Sequence, residues 1–579
     1  MSNQGVRTLL AYDYYDKRFH FCQPEGGPEP RPESLGSVLF GDRIYTSAFQ
    51  LNMGKNVECQ LLCQTPAIPK DDAQYINQCI DDGYGLNFVV DELPAARIMT
   101  DEHTDEEYYS IGFKLGEATE TDRPLLNNHY SINIDYHERP DGKKRVVGVV
   151  VVPESRDTKV DANGNPDCAH ARSGFSLKED GSDHVVYTYS VTWRASSKAW
   201  ATRWDNYLHI NDPSIHWFSL VNSIVIVLFL TGMVAMILLR ALHKDISRYN
   251  SDEAQEDLQE DYGWKLVHGD VFRPPHHSML LSVMVGSGTQ LVAMATLTLV
   301  FAVLGFLSPS NRGALATVMV IFFMIFGFIG GFVSARVYKM NKGEKWKSNI
   351  LLSATLLPGV ILSTLFTLDL ILVASRSSGA VPFGTMMALL AMWLLIFVPL
   401  SVMGSYFGFR KSRIEPPVRT NQIPRQIPEQ PFYLRSTPSI FMGGILPFGA
   451  IFIELYFIMN SIWFHRIYYG IGFLFLVFIV LILTASQVTI LLCYFHLCAE
   501  DYRWAWRAFL TGAAAGFYVF LYSVLYYLTK LDINSFTSTI LYFGYSGIIS
   551  LLFGLLSGAV GYFACLVFLH RIFASIKVD

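Results

Sequence analysis

Residues 217–242 read WFSLVNSIVIVLFLTGMVAMILLRAL, with no charged side chain between Trp217 and Leu239. A helix needs about 20 mostly apolar residues to cross the hydrocarbon core of a bilayer, so this stretch reads as a membrane span that stops at Arg240. It also divides the chain. Everything before it is polar and cysteine-bearing, whereas eight comparable apolar runs follow: Met279–Leu307, Ala314–Val337, Ile350–Ala374, Phe383–Phe409, Ser439–Asn460, Tyr468–Leu497, Ala505–Leu528 and Ser538–Phe568. The sequence therefore predicts a polytopic α-helical membrane protein, with an N-terminal domain over residues 1–213 and nine transmembrane helices with a short tail over residues 214–579. Composition agrees: of 579 residues, 51% are hydrophobic, 14% aromatic and only 16% charged, too apolar for one soluble core. The net charge of −5 argues against a nucleic-acid partner, which needs a clustered basic excess.

Loops rich in Lys and Arg stay in the cytosol. One set of loops carries twenty, from Arg240 and Lys265 through Arg336–Lys347 and Arg410–Arg435 to Arg503, Arg507, Arg571 and Lys577. The opposite short loops carry four: Arg312, Arg376, Arg466 and Lys530. This asymmetry predicts a cytosolic C-terminus, and an odd number of spans then places the N-terminal domain in the lumen or outside. The loop Ala241–Ser278 also holds eight acids and reads as a solvated cytosolic segment. Met1–His20 offers only Leu9-Leu10 as an apolar core, too little for a signal peptide, so the expectation is a chain that starts at an internal methionine.

Five of the eight cysteines lie in the head: Cys22, Cys59, Cys63, Cys79 and Cys168. Such enrichment suits an oxidising compartment, and five thiols allow at most two intramolecular disulfides, with the connectivity left open. Neither Cys59-x3-Cys63 nor His276-His277 has further ligands at zinc spacing, so no metal is expected. Val185–Trp193 alternates Val185, Tyr187, Tyr189, Val191 and Trp193 with smaller or polar residues, the period of a half-buried strand. Arg145–Pro153 and Tyr130–Tyr136 also read as strands, and Asp72–Asp82 as a short helix ending near Gly83. The head is thus expected to be lumenal, mainly β and sandwich-like. Trp193, Trp200, Trp204, Tyr207 and Trp217 precede the first span and are expected to seat the head on the bilayer.

Several segments together resemble the nonaspanins, the transmembrane 9 superfamily, whose members also go by the name endomembrane protein 70. In the head these are Tyr12–Tyr15 (YDYY), Phe21-Cys22-Gln23-Pro24, Leu35-Gly36 with Gly41-Asp42-Arg43-Ile44, and Cys59-x3-Cys63. Beyond the first span they are Gly263–Pro275 (GWKLVHGDVFRPP), Leu446–Leu455 (LPFGAIFIEL), Cys493–Trp506 (CYFHLCAEDYRWAW) and the tail Ala574–Asp579. The resemblance implies a non-enzymatic protein of Golgi and endosomal membranes, without cofactors, that helps sort or deliver client transmembrane proteins. It further implies that the tail residues Lys577 and Asp579 engage the coatomer coat, where a lysine point charge and paired carboxylates suit charge-assisted recognition.

Other residues stand out on physical grounds alone. Asp369, Glu454 and His496 fall within spans, where an ionisable group is costly unless it faces protein, water or a partner. Each fits either an intramembrane polar site or a structural hydrogen bond. Gly327-x3-Gly331, Gly512-x3-Gly516 and Gly554-x3-Gly558 permit close helix approach, for packing within the bundle or for docking client helices. Glu454 and the proline-interrupted spans also leave open a second function, a transporter or channel for a solute, proton or lipid.

Overall fold

The computed structural model describes residues 8–100, 107–118, 123–161, 165–207, 213–249, 263–307, 313–463, 471–533 and 535–574. The head contains, in chain order, α1 (Leu35–Leu39), β1 (Val57–Gln64), α2 (Lys70–Asp81), β2 (Ala96–Thr100), β3 (Glu107–Ile111), β4 (His129–Glu138), β5 (Lys144–Glu154), β6 (Arg156–Val160), β7 (Pro166–Ser173) and β8 (Val186–Ala195). Six of these strands form one mixed sheet in the order β1-β8-β4-β5-β2-β3, with β8 parallel to β4 and the β4–β5 pair antiparallel. Tyr187, Tyr189 and Val191 of β8 are buried on one face, as their period-two spacing requires. Thr188 on the other face is buried too, because its hydroxyl meets Nδ1 of buried His129 at 2.8 Å. In β5 every residue from Val146 to Val151 is buried, as suits a strand covered on both faces.

The sandwich-like expectation needs amending. Among the described residues the remaining β structure consists of two-stranded ribbons, not a second large sheet. Part of the layer against the sheet comes instead from the N-terminal aromatic segment and from α2. Phe21 meets Tyr187 edge-on at 5.9 Å and stacks on Tyr14 at 4.5 Å, while Ala73, Ile76 and Ile80 of α2 join the same core. Two disulfides brace this arrangement: Cys22–Cys63 ties the aromatic segment to β1, and Cys59–Cys168 ties β1, an edge strand, to β7. Cys79, on the buried face of α2, is a free thiol and drops out of the candidate disulfide set. The aromatic belt also divides. Tyr207 is buried and donates to the Pro94 carbonyl at 2.7 Å, Trp204 and Trp193 pack on the head core, and only Trp200 and Trp217 are largely exposed.

Among the described residues nine helical stretches are long and apolar enough to cross a membrane. They are α3 (Pro213–Tyr249), α4 (Ser278–Val303), α5 (Ala314–Met340), α6 (Trp346–Ala374), the pair α7 (Phe383–Met392) and α8 (Val398–Arg410) joined by a π turn at Trp393–Phe397, α9 (Ser436–Trp463), α10 (Ile471–Cys498), α11 (Trp504–Lys530) and α12 (Phe536–Ala574). The glycine stripes set the closest crossings. A Cβ at Gly331 would strike the Ser401 carbonyl of α8, and one at Gly327 the Phe397 ring. On the other side of the bundle Gly512 faces Ser557, Gly516 faces Ser550 and Gly554, and Gly558 faces Phe509. All six predicted glycines are buried against helices of this same chain, which removes the client-docking alternative for them.

The head rests on the loop ends of these helices. The Gly36 N–H donates to Thr317 Oγ1 at 2.9 Å, and the backbone of Gly36 presses on that of Gly313. Gly41, at φ +81°, packs on Gly379. Ala11 accepts from Ser377 Oγ at 2.6 Å and the Ser378 N–H at 2.8 Å, and Arg43 donates to the Ala380 carbonyl at 3.0 Å. The head motif Leu35-Gly36 with Gly41–Ile44 thus docks head to bundle together with the segment at Leu9–Ala11, where the Leu9 N–H also donates to Ser538 Oγ at 3.1 Å.

Candidate functional site

The three intramembrane ionisable residues do not converge on one site. Asp369 sits near the head end of α6, 9% exposed, and accepts the Val381 N–H at 2.7 Å. That bond lies in the turn between α6 and α7 whose Ser377, Ser378 and Ala380 contact Ala11 and Arg43. Glu454 lies deep in α9, 1% exposed and engaged in a polar interaction. It stands one turn from Ala450, whose carbonyl accepts from Ser223 of α3. His496 lies at the opposite end of the bundle from the head, hereafter the distal face, and donates from Nδ1 to the Leu492 carbonyl at 2.6 Å.

His496 leads into a polar junction of the distal face. The turn after α10 returns through the Asp501 N–H, which donates to the His496 carbonyl at 3.0 Å. Asp501 is fully buried and pairs with Arg503 at 3.1 Å and Arg507 at 2.5 Å. Burial alone would raise the Asp501 carboxyl, but hydrogen bonds from Arg503 and the Arg507 charge hold it below its ordinary value. Arg507 also donates to Ser436 Oγ at 2.9 Å, joining α11 to the first residue of α9. Trp504 donates to the Val271 carbonyl at 2.8 Å and stacks on Tyr562, while Trp506 donates to the His276 carbonyl at 2.7 Å. Arg273 in turn pairs with Asp270 and donates to the Asn421 carbonyl. The segments Gly263–Pro275 and Cys493–Trp506, distant in sequence, are therefore two halves of one structure. Sequence reasoning missed Asp501 and Arg507 as a buried pair. The available signal was two acids, Glu500 and Asp501, within a very short turn between apolar spans.

Beside this junction the C-terminal ends of α5 and α8 are knit by cations that bind carbonyls. Lys339 Nζ donates to Phe409 and Lys411 at 2.6 and 2.7 Å, Arg413 donates to Met340 at 3.0 Å, and Arg336 donates to Ser412. Cations at helix C-termini answer the unpaired carbonyls there. Lys577 and Asp579 lie outside the described residues; α12 ends at Ala574 on the same distal face. Among the described residues no group of three or more His, Cys, Asp or Glu is placed to hold a metal ion.

A nine-span helical bundle carrying a disulfide-braced, mixed-sheet head on one face and an ion-paired loop junction on the other defines an integral membrane protein with a folded extramembrane domain. The chain belongs to the Endomembrane protein 70 family, whose profile matches residues 11–536. Among its relatives, Transmembrane 9 superfamily member 2 of Homo sapiens is 47% identical, covering 99% of this chain and 90% of the relative. Transmembrane 9 superfamily member 1 of Saccharomyces cerevisiae is 46% identical, covering 100% of this chain and 91% of the relative. Transmembrane 9 superfamily member 9 of Arabidopsis thaliana is 43% identical, covering 99% and 92%. No solved structure is a match.

Proposed function

We propose that this chain is a non-enzymatic trafficking factor of Golgi and endosomal membranes, which helps sort or deliver client transmembrane proteins and is itself recycled by coatomer binding to Lys577 and Asp579. The observation that carries this reading is membership of the Endomembrane protein 70 family over nearly the whole chain. In the same reading the head is lumenal and the distal face cytosolic. The excess of Lys and Arg in distal loops supports that orientation, as do the two disulfides confined to the head. Because the glycine stripes are filled internally, clients would be met by other surfaces of the bundle or by the head.

The test is the steady-state location of full-length protein carrying Lys577→Ala, or one residue appended after Asp579. Both changes should release it from the Golgi, with loss of coatomer co-precipitation. Unchanged location and co-precipitation would refute the recycling role.

A further inference from the structure

The joined ends of α5 and α8 carry cations beyond those that bind carbonyls, of which Lys347 and Lys411 lie over the rings of Trp346 and Phe332 at 5.5 and 5.4 Å. Beyond the three carbonyl-bound cations, Lys342, Lys345, Lys347, Arg410 and Lys411 all stand exposed on this surface, and within the α5–α6 turn the only carboxylate is Glu344. None of these five is ion-paired with a described carboxylate. The neighbouring junction behaves differently, since Arg273, Arg425, Arg503 and Arg507 each meet an acid. Setting topology needs basic residues in distal loops, but it does not need several of them side by side without a described carboxylate partner. Trp346 stands between Lys345 and Lys347, 51% exposed at the start of α6, where an amphipathic ring marks the headgroup level of a bilayer.

We propose that this surface binds the phosphate-bearing headgroup of an anionic lipid in the adjacent leaflet, of the phosphoinositide class. Charge complementarity carries the assignment. Ammonium groups on flexible stems meet phosphomonoester oxygens as point charges, and several of them can address one multiply charged headgroup. A basic cluster immediately beside a membrane helix is the usual form of such a site, worth about fivefold in affinity per Lys or Arg near the surface.

The experiment titrates purified full-length protein, in uncharged detergent, with a fluorescent short-chain phosphatidylinositol 4-phosphate and follows anisotropy. The same tail on phosphatidylcholine should bind at least about tenfold more weakly, and affinity should fall with ionic strength. Lys342→Gln, Lys345→Gln and Lys347→Gln together should weaken binding on the order of a hundredfold. Glu344→Gln should tighten it about fivefold, a gain that a misfolded protein would not produce. Equal affinity for the two lipids, or a Glu344→Gln variant that binds no tighter than the parent, overturns the proposal. Competition by soluble inositol phosphate is expected if the headgroup is recognised; binding that follows the acyl tail alone counts against it.

Discussion

The indole N–H of Trp393 donates at 3.1 Å to the carbonyl of Ala354, the acceptor that Pro358 leaves without a backbone donor four residues on. In hydrocarbon no water can take that place, so a neighbouring helix supplies the proton. Trp393 opens the π turn between α7 and α8, and Phe397 closes it, stacked on Phe323 and covering Gly327. One irregular turn thus serves both the α6 and the α5 contacts.

Trp393→Phe should therefore cost about 1–3 kcal/mol, the price of a buried carbonyl without a donor. In a Pro358→Ala background the backbone makes the bond itself, and the same change should cost much less. A double-mutant cycle on denaturant unfolding of the detergent-purified protein reads the difference. Equal losses in both backgrounds would show that the indole acts only through its bulk.

Asp501 is the acid on which the distal junction turns. Removing one member of a buried pair leaves the other uncompensated, so Asp501→Asn should destabilise by about 3–5 kcal/mol, and Arg507→Met should offset part of that loss in the double variant. The sign of the pH effect follows from the depressed carboxyl. Its contribution is present above the ordinary aspartate value and is lost as pH falls through the lower, folded value. Thermal unfolding below about pH 4 should thus show a steeper acid loss in the parent than in Asp501→Asn.

The junction also shows where the sequence stopped being legible. Each span was visible because crossing a bilayer imposes a length and an apolarity on one contiguous segment. Helix ends were less visible: Leu304–Leu307 continues the apolar run after α4, but Gly305, at φ +83°, turns the chain away. Asp501 and Arg507 look like ordinary loop charges until segments from residues 263–277, 421–436 and 499–507 fold together, a relationship no local pattern encodes. The glycine stripes announced close packing without naming their partners. Likewise Asp369 was recognisable as a buried acid, whereas its acceptance of the Val381 N–H depends on a turn the periodicity does not specify. The spacing of five cysteines could not exclude Cys79; the pairing of the other four with one another does.

His129 gives the head a pH dependence of its own. Burial, reinforced by the nearby Arg156 guanidinium, pushes its imidazole down to about 4, below the ordinary value near 6.5. The unfolded chain therefore binds the proton first, and the head should lose stability as pH falls from about 6.5 towards about 4. Below that window the loss is complete and no longer grows. His129→Gln should flatten the slope of unfolding midpoint against pH over this interval, while a parent and variant with parallel slopes would place the titration elsewhere.

The head's attachment should yield separately from its fold. The Gly36 backbone leaves no room for a Cβ against the Gly313 carbonyl, and neither oxygen nor chain can move cheaply, because Gly36 is itself held by Thr317. Gly41 adds a second constraint, since its φ of +81° and its approach to Gly379 both resist a side chain. Substituting both by alanine should part the head from the bundle yet leave the two disulfides and the six-stranded sheet intact, because neither glycine lies in that core. Hydrogen exchange distinguishes the two events. The Ser378 amide, protected by the Ala11 carbonyl, should exchange at least about tenfold faster in the double variant, whereas Ile134 and Val149 in the central strands should stay protected. If Ser378 remains as slow as in the parent, the serine and arginine contacts hold the head without the glycines; if the central strands accelerate as well, docking and folding of the head are one cooperative event.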